Sequence, residues 1–362
     1  MKKIGIITIL PRNNNYGGIL QGLALQTFLK DNGYNAFLIQ RVANRPSILF
    51  KVRQAVQKLL GNKPSSYNDR ERVSLHLDAF VDKFFNPVTN IIDNPNQMKK
   101  IAAQYGLDAV VVGSDQVWRK LYNDDRKSNF FLDFVPDNTI KLSYAASFGV
   151  DTWDYTIQET QEYKNLLKRF KAVSVREESG VELCKKHLDT DAIAVIDPTL
   201  LMSRKFYEDI IDKEKAKRHN GNLLIYMISK SESAGSVRNK IVQDLNCIPF
   251  NVGRTEVNQV FPPVGEWLRG FKDAEYIFTD SFHGCAFSII FNKPFLIWGN
   301  KKTGVTRYQS LLNKLGLIDR LILDEKDYNP DIWSRPIDWE HVNNIIGLEK
   351  EKSIKFFQAN IS

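Results

Sequence analysis

Short apolar segments alternate with segments of helical spacing from the first residues onward. Residues 3–10 are apolar and β-branched, and residues 11–18 are rich in Asn and Gly. Residues 19–33 place apolar side chains about every three to four positions, and residues 34–40 are apolar again. This order of strand, helix and strand predicts a parallel sheet with helices packed on its faces.

Residues 41–105 are less regular, and the alternation then continues to about residue 200. It starts again after a charged, polar segment at 203–222. We therefore predict an α/β protein with two doubly wound parallel-sheet domains that face a cleft. The expected boundaries are 1–205 for the N-terminal domain and 206–345 for the C-terminal domain, with 346–362 as a C-terminal helix. Ligands of such domains bind at the carboxyl ends of the strands, so the cleft is the expected site.

Composition supports a globular protein, since 43% of the 362 residues are hydrophobic and 25% are charged. No apolar run reaches about 18 residues, so no transmembrane helix is predicted. The start MKKIGIITIL has a basic end and an apolar run, but no small-residue cleavage site follows it. We therefore interpret it as the first buried strand and not as a signal peptide.

Charge and cysteine content narrow the classes of ligand. The net charge of +8 favours an anionic partner. No zinc-finger motif, RNA-recognition motif or Lys/Arg block is present, so nucleic acid is not expected. The chain has three cysteines, an odd number, and they are widely spaced. This argues against a disulfide framework and against a tetrahedral metal site. The expected compartment is the reducing cytoplasm.

Two predicted strand ends carry glycine, hydroxyl and carboxylate groups. Gly17 and Gly18 stand between a strand and a helix, where they would let a ligand approach the backbone, although an ordinary tight turn uses glycine too. Ser114 and Asp115 follow the apolar segment at 110–112. They could hold an oxyanion and accept a proton, or cap the next helix.

Two further strand ends carry a cation and a histidine. Arg176 follows a strand and could bind a carboxylate or phosphate with two parallel hydrogen bonds, or pair with Glu177 or Glu178. His283 falls in the first turn of a predicted helix that Ser281 would cap. A histidine there could act as a general acid, or could simply hydrogen-bond nearby backbone.

Two motifs of other enzyme classes are absent from the sequence, and one segment has a membrane-binding pattern. The chain has neither the zinc motif H-E-x-x-H nor the serine-hydrolase motif G-x-S-x-G. The segment at 48–60 has a basic amphipathic pattern, which is consistent with contact to an anionic membrane or a lipid-linked acceptor. The alternative is the solvated face of an ordinary packed helix.

Seven segments, in their order along the chain, resemble the polysaccharide pyruvyl transferase family. They are NYGGILQGLAL (15–25), DAVVVGSDQVW (108–118), SYAASFG (143–149), VSVREESG (173–180), VIDPTLL (195–201), TDSFHGCAFSIIFNKPF (279–295) and GVTRYQSLLNKLGL (304–317). The resemblance covers about residues 1–320 and rests on the ordered set, not on any single motif.

The resemblance implies a glycosyltransferase-B-like arrangement and a transferase that moves pyruvate from phosphoenolpyruvate to sugar hydroxyls as a ketal. The product would be a surface polysaccharide, such as a capsule or exopolysaccharide. The expected partners are phosphoenolpyruvate and a sugar or lipid-linked oligosaccharide, in the cytoplasm or at the inner face of the membrane. No metal or other cofactor is implied.

The family motifs also suggest roles for single residues. Arg176 matches the donor-binding arginine and His283 the active-site histidine. Many members have Arg-x-His where this chain has Ser281-Phe282-His283, so one anion contact must come from elsewhere. The candidates for that contact are Lys301, Lys302 and Arg307.

The chemistry of phosphoenolpyruvate completes this hypothesis. It needs a general acid, cations for the carboxylate and phosphate, and a base for the sugar hydroxyls. We assign His283 as the acid, Arg176 as the anion-binding cation and Asp115 as the base or sugar-orienting group. Gly17, Gly18 and Ser114 would add hydrogen-bond donors. Two alternatives stay open: a nucleotide-sugar glycosyltransferase of the same architecture, and a non-enzymatic protein that binds a phosphorylated metabolite.

Overall fold

A computed structural model describes most of the chain. The described residues are 1–9, 15–42, 67–122, 126–253, 259–299 and 304–361. The predicted helix at 48–60 and the candidate residues Lys301 and Lys302 lie outside them.

The first half of the chain builds a parallel sheet with strand order β2-β1-β3-β4. Bridges from Leu142 to Ala172 and from Ala146 to Val175 extend it to the pair β5-β6. The strands are β1 (Lys3–Ile7), β2 (Asn35–Leu38), β3 (Ala109–Val112), β4 (Ile140–Ser143), β5 (Val173–Val175) and β6 (Ala192–Ala194). This sheet and its helices are called the N-terminal lobe.

The second half builds another parallel sheet, with strand order β11-β10-β9-β7-β8. Its strands are β7 (Leu223–Tyr226), β8 (Pro249–Phe250), β9 (Tyr276–Thr279), β10 (Phe295–Trp298) and β11 (Leu321–Ile322). This sheet and its helices are called the C-terminal lobe. Both sheets have every paired strand parallel, as the alternating sequence pattern predicts.

Helices connect the strands on both halves. They are α1 (Tyr16–Asp31), α2 (Tyr67–Phe84), α3 (Pro95–Met98), α4 (Ile101–Tyr105), α5 (Ile157–Leu167), α6 (Glu178–Leu188), α7 (Arg204–Lys213), α8 (Glu232–Leu245), α9 (Val264–Asp273), α10 (Phe282–Ile290), α11 (Thr306–Lys314) and α12 (Trp339–Ile361). None of the helices that the structure describes is long and apolar enough to cross a membrane.

The charged segment at 203–222 is more ordered than its composition suggests. Ser203 caps α7, and the helix buries Tyr207, Ile210 and Ile211. These apolar side chains lie at helical spacing among many charged ones, so α7 packs on the core through one narrow stripe.

The last helix returns to the N-terminal lobe. Helix α12 begins at Trp339, several residues before the expected 346. The Tyr144 hydroxyl donates to Ser353 Oγ at 2.8 Å, and the Tyr144 ring stacks on Phe357 at 5.0 Å. Lys352 Nζ donates to the Ala194 carbonyl at 2.7 Å. The chain therefore crosses from the C-terminal lobe back to the first sheet.

An aromatic stack joins the two lobes beside the start of α1. The Tyr16 and Trp267 rings lie 5.3 Å apart with an interplanar angle of 13°. The Tyr16 hydroxyl donates to the Pro262 carbonyl at 2.7 Å. Both rings are buried, so this contact fixes the beginning of α1 against the C-terminal lobe.

Trp267→Ala tests how much this contact stabilises the protein. We expect the free energy of unfolding to fall by about 3–5 kcal/mol, because the change leaves a large cavity among packed rings. Leu348→Ala, at a side chain that is 67% exposed, should change it by less than about 0.5 kcal/mol. Urea unfolding of both variants gives the comparison, and equal effects would contradict the packing role.

Candidate functional site

The predicted strand ends of both lobes meet at one place. Ser114 and Asp115 follow β3, and Arg176 follows β5, on neighbouring parts of the first sheet. His283 stands in the first turn of α10 of the C-terminal lobe, and its imidazole lies against Gly17 in the first turn of α1. The structure thus brings residues from four separate segments into direct or nearly direct contact.

Asp197 lies at the centre of these residues. Its Oδ2 accepts hydrogen bonds from Ser114 Oγ at 2.8 Å and from Arg176 Nη1 at 2.9 Å. Its Oδ1 accepts bonds from the Thr199 backbone N–H at 3.0 Å and from Thr199 Oγ1 at 2.8 Å. His283 Nε2 lies 3.7 Å from Oδ2, beyond hydrogen-bond distance.

The surroundings of Asp197 keep its carboxylate ionised. Burial alone would raise the pKa of Asp197, but the adjacent imidazole of His283 and the guanidinium of Arg176 outweigh burial. With the added hydrogen bond from Thr199, the pKa falls well below the usual range. A buried and ionised Asp197 therefore holds Arg176 and faces His283.

Asp197 was not among the site residues predicted from the sequence. It stood only within the family segment VIDPTLL (195–201), whereas the structure shows this aspartate capping a 3-10 turn at Pro198–Leu201. An acid at the end of a buried strand, followed by proline and threonine, is the signal that was available.

Arg176 is buried among three carboxylates. Its Nη2 lies 3.8 Å from Asp115 Oδ1, and its Nε lies 3.8 Å from Glu177 Oε2. Burial alone would lower the pKa of Arg176, but the charges of Asp197, Asp115 and Glu177 raise it. The guanidinium therefore stays charged, while its Nε and Nη2 have no hydrogen-bond partner.

Glu177 and Asp115 hold fixed positions beside this guanidinium. Glu177 Oε1 accepts bonds from Ser147 Oγ at 2.7 Å and the Gly149 N–H at 2.9 Å. Asp115 has a φ of 75°, in the left-handed region that only a few per cent of residues other than glycine adopt, with asparagine and aspartate the most frequent among them. Asp115 Oδ1 accepts the Gln116 N–H at 2.9 Å. A backbone held in this region is common at functional sites.

Several polar groups at the site already make hydrogen bonds within the protein. Asn15 caps α1 by accepting the Gly18 N–H at 3.2 Å. Ser281 caps α10, as predicted, by accepting the Gly284 N–H at 3.2 Å. The Ser114 hydroxyl donates to Asp197. These three hydrogen bonds lie within the protein and shape the site.

Phe282 links Arg176 to a second arginine. Its ring centroid lies 4.2 Å from Arg176 Cζ and 6.0 Å from Arg307 Cζ. Burial is the main cause that lowers the pKa of Arg307, and the nearby Arg176 lowers it further. Arg307 makes no ion pair with any residue in the described part of the chain. The structure thus places a second buried cation at this site.

Buried polar atoms without hydrogen-bond partners concentrate around these arginines. They are Arg176 Nε and Nη2, Glu177 Oε2, Ser179 Oγ, His283 Nε2, Thr306 Oγ1 and Arg307 Nε. Buried polar groups in proteins are nearly always paired, so such a concentration indicates a place where a polar ligand or water binds. The two lobes meet over the site, since Arg176 is 5% and His283 7% exposed.

Comparison with solved structures shows the fold. The UDP-GlcNAc 2-epimerase from Neisseria meningitidis, bound to UDP-GlcNAc, superimposes with a TM-score of 0.55 at 12% identity, covering 99% of this chain and 100% of that chain. The corresponding enzyme from Methanocaldococcus jannaschii gives 0.54 at 11% identity, with 99% and 100% covered. That from Rickettsia bellii gives 0.52 at 11%, with 100% and 97% covered. The two lobes therefore have the glycosyltransferase-B arrangement.

Sequence comparison identifies the family. No curated protein matches the chain. The family model described as polysaccharide pyruvyl transferase matches residues 15–301, a range that contains most of the strands and the residues around Asp197. On this match, and with the predicted motifs assembled at one site, the chain belongs to the polysaccharide pyruvyl transferase family.

Proposed function

We propose that the protein transfers pyruvate from phosphoenolpyruvate to two hydroxyls of a sugar, forming a ketal during the synthesis of a surface polysaccharide. The observation that carries this proposal is the pair of buried guanidiniums, Arg176 and Arg307, with unpartnered N–H groups beside His283. Family membership supports it. A lipid-linked acceptor would place the reaction at the inner face of the membrane.

The reaction has a simple balance of atoms. A proton adds to the methylene carbon of phosphoenolpyruvate and makes the central carbon electrophilic. One sugar hydroxyl attacks this carbon, the bond from carbon to the phosphate oxygen breaks, and a second hydroxyl closes the ketal. Of the two hydroxyl protons released, one replaces the proton taken up by the methyl group and the other leaves on inorganic phosphate.

The arginines are suited to bind the donor. Arg176 and Arg307 would each pair with its carboxylate or phosphate, because guanidinium N–H groups match the geometry of both anions. Arg307 then supplies the cation that is missing at Ser281, while Lys301 and Lys302 remain candidates from outside the described residues. A second cation is needed to bind phosphoenolpyruvate, because three carboxylates already surround Arg176, those of Asp115, Glu177 and Asp197.

His283 is suited to deliver the proton. Its Nε2 has no hydrogen-bond partner and lies 3.7 Å from Asp197 Oδ2. Asp115 would accept a hydroxyl proton or orient the sugar, and Gly17 leaves the space in which the imidazole lies. Ser114 and Asp197 position Arg176 and His283 without touching the donor.

Donor binding requires the lobes to separate. The unpartnered atoms of Arg176, His283 and Arg307 are enclosed, so no ligand reaches them in the arrangement seen here. Opening of a cleft before binding and closure over the substrates would exclude water from the reactive intermediate.

Acceptor-dependent phosphate release from phosphoenolpyruvate tests the proposal. We expect release only when a sugar acceptor is present, and a loss of about 10²-fold or more in His283→Ala. A rise in melting temperature with phosphoenolpyruvate, and none with nucleotide sugars, would accompany it. The opposite pattern of melting temperatures would favour a nucleotide-sugar glycosyltransferase, and donor binding without turnover would favour a non-enzymatic metabolite-binding protein.

Arg307→Gln tests the compensating cation. We expect the KM for phosphoenolpyruvate to rise by about tenfold or more, because a charged hydrogen bond contributes about 1.5–3 kcal/mol. Arg204→Gln is the control, since Arg204 is an exposed residue paired with Glu208 on α7. Its KM should stay within about twofold of the original value. Equal KM values in both variants would remove Arg307 from the donor site.

A further inference from the structure

The two lobes meet backbone to backbone at two glycines close to the candidate site. Gly149 lies between β4 and α5 of the N-terminal lobe, and Gly304 lies between β10 and α11 of the C-terminal lobe. Their φ angles are 74° and 90°, in the left-handed region that glycine adopts without strain. A Cβ added to Gly304 would overlap the carbonyl oxygen of Gly149, so glycine alone permits this approach. We call it the Gly149–Gly304 contact.

The N-terminal side of this contact is held in place within its own lobe. The Gly149 N–H donates to Glu177 Oε1 at 2.9 Å, and the same oxygen accepts a bond from Ser147 Oγ at 2.7 Å. A Cβ on Gly149 would overlap Gln116 Oε1, so the Gly149 backbone also packs against the Gln116 side chain. Glu177 and Ser147 are fully buried. The Gly149 carbonyl therefore presents a fixed surface to the C-terminal lobe.

The C-terminal side of the contact lies next to the second arginine in the chain. Gly304 stands three residues before Arg307, which is buried in the first turn of α11. The same helix meets the N-terminal lobe again at Ser310 Oγ, which accepts the Glu178 N–H at 3.2 Å. Because a helix moves as a rigid unit, the place where this end of α11 meets the N-terminal lobe determines how closely Arg307 approaches Arg176.

We propose that Gly304 is a positioning residue whose contact with Gly149 fixes how far the lobes close. The closed arrangement then places Arg307 beside the donor at Arg176. A side chain at position 304 would hold the lobes apart, and a displacement of about 1 Å at an active site can reduce turnover by about 10²-fold. This inference rests on the proposed function for the identity of the donor, while the closure itself can be measured without any substrate.

Gly304→Ala disturbs the contact, and Gly316→Ala is its matched control. Gly316 lies just beyond α11 with a φ of 69°, and among the described residues no heavy atom beyond its chain neighbours comes within 4 Å of an added Cβ. Both variants therefore carry alanine in the left-handed region, but only the one at Gly304 meets the other lobe. Gly304→Asn and Gly316→Asn repeat the comparison with a residue that tolerates this region better, so the test survives a folding defect of the alanine variants.

Thiol labelling of a Ser179→Cys background reports lobe closure without any substrate. Ser179 lines the same pocket as Thr306 of α11, and its Oγ is buried. The three native cysteines are buried too, so a maleimide should react first with the introduced thiol when the lobes part. We expect labelling to accelerate by about tenfold or more when Gly304→Ala is added, and to stay within about twofold when Gly316→Ala is added.

The consequence for the donor is measured by kinetics. The kcat/KM for phosphoenolpyruvate should fall by about 10²-fold in Gly304→Ala and stay within about threefold of the original value in Gly316→Ala. Equal labelling rates in the two variants, or equal values of kcat/KM, would overturn the inference.

The failure of this inference differs from the failure of the proposed function. If labelling accelerates only with Gly304→Ala while the original protein releases no phosphate from phosphoenolpyruvate, the closure contact stands and the donor assignment fails. If phosphate is released and both variants keep the original kcat/KM, the proposed function stands and Gly304 has no positioning role.

Discussion

Replacing Gly17 with alanine should reduce turnover by about 10²–10⁴-fold, the contribution expected of a positioned general acid. A Cβ at this position would overlap the His283 ring, although the backbone of Gly17 is helical and accepts alanine otherwise. Either the imidazole or the start of α1 must move. We expect the free energy of unfolding to fall by about 1–3 kcal/mol, as for other overpacked interiors.

Gly18→Ala is the matched control for this prediction. At Gly18, the next residue of the same helix, the three atoms nearest to an added Cβ belong to the Asn15 side chain, at 3.2 Å and beyond. Its turnover should stay within a few-fold, since the Gly18 N–H is bonded to Asn15. In the double variant Gly17→Ala/His283→Ala, the ring that the new Cβ would overlap is absent. Its free energy of unfolding should therefore be higher, by about 1 kcal/mol or more, than the sum of the two single effects predicts. Additive effects would contradict the direct contact.

Asp197→Asn should lower the free energy of unfolding by about 3–5 kcal/mol. The change keeps the shape of the side chain but leaves the buried Arg176 without its closest counter-charge. Removing one partner of a buried ion pair is strongly destabilising, because the other charge stays buried without compensation. Turnover should fall as well, because Arg176 and His283 both face this carboxylate. Asp209→Asn, in an exposed pair with Lys205, should cost less than about 1 kcal/mol.

The stability that Asp197 contributes should depend on pH in a defined direction. Folding lowers the pKa of Asp197, so its contribution is fully present above the unfolded pKa of about 3.9 and is lost as the pH falls towards the folded value. The difference between the original protein and Asp197→Asn should therefore be constant near neutral pH. Below about pH 4 it should shrink, by up to about 1.4 kcal/mol per pH unit. Urea unfolding between pH 7 and pH 3 measures it, and a constant difference would show that folding does not lower the pKa of Asp197.

Much of the fold could be predicted because its signals are local. The apolar segment before Asp280 forms β9 (Tyr276–Thr279), and Ser281 caps α10 by accepting a hydrogen bond from the Gly284 N–H. Other features had weaker signals. Strand β11 has only two residues, too few for a pattern, and the apolar stripe of α7 is hidden among charges.

The contacts of the site could be predicted only in part. Gly17, Asp115, Arg176 and His283 were selected because strand ends of parallel sheets point to one edge. Asp197 was missed because its role comes from partners far away in the chain, such as Ser114, 83 residues before it. No sequence pattern encodes which strand ends will lie within 3 Å of one another.

The return of α12 to the first sheet is a similar case. Tyr144 and Ser353 are 209 residues apart, and neither residue type suggests the bond between them. The environment of Arg307 was predicted only in part. Arg307 was expected near the donor, but its contact with the Phe282 ring was not expected.

The most direct test follows the carbon atom that should be transferred. The protein is incubated with phosphoenolpyruvate labelled with ¹³C at its central carbon and with a saccharide acceptor, and the products are examined by NMR. We predict that the label appears in a ketal carbon bonded to two sugar oxygens and a new methyl group, with one phosphate released for each ketal. Label that stays in phosphoenolpyruvate, or that is found only in free pyruvate, would contradict pyruvyl transfer as the function of this site.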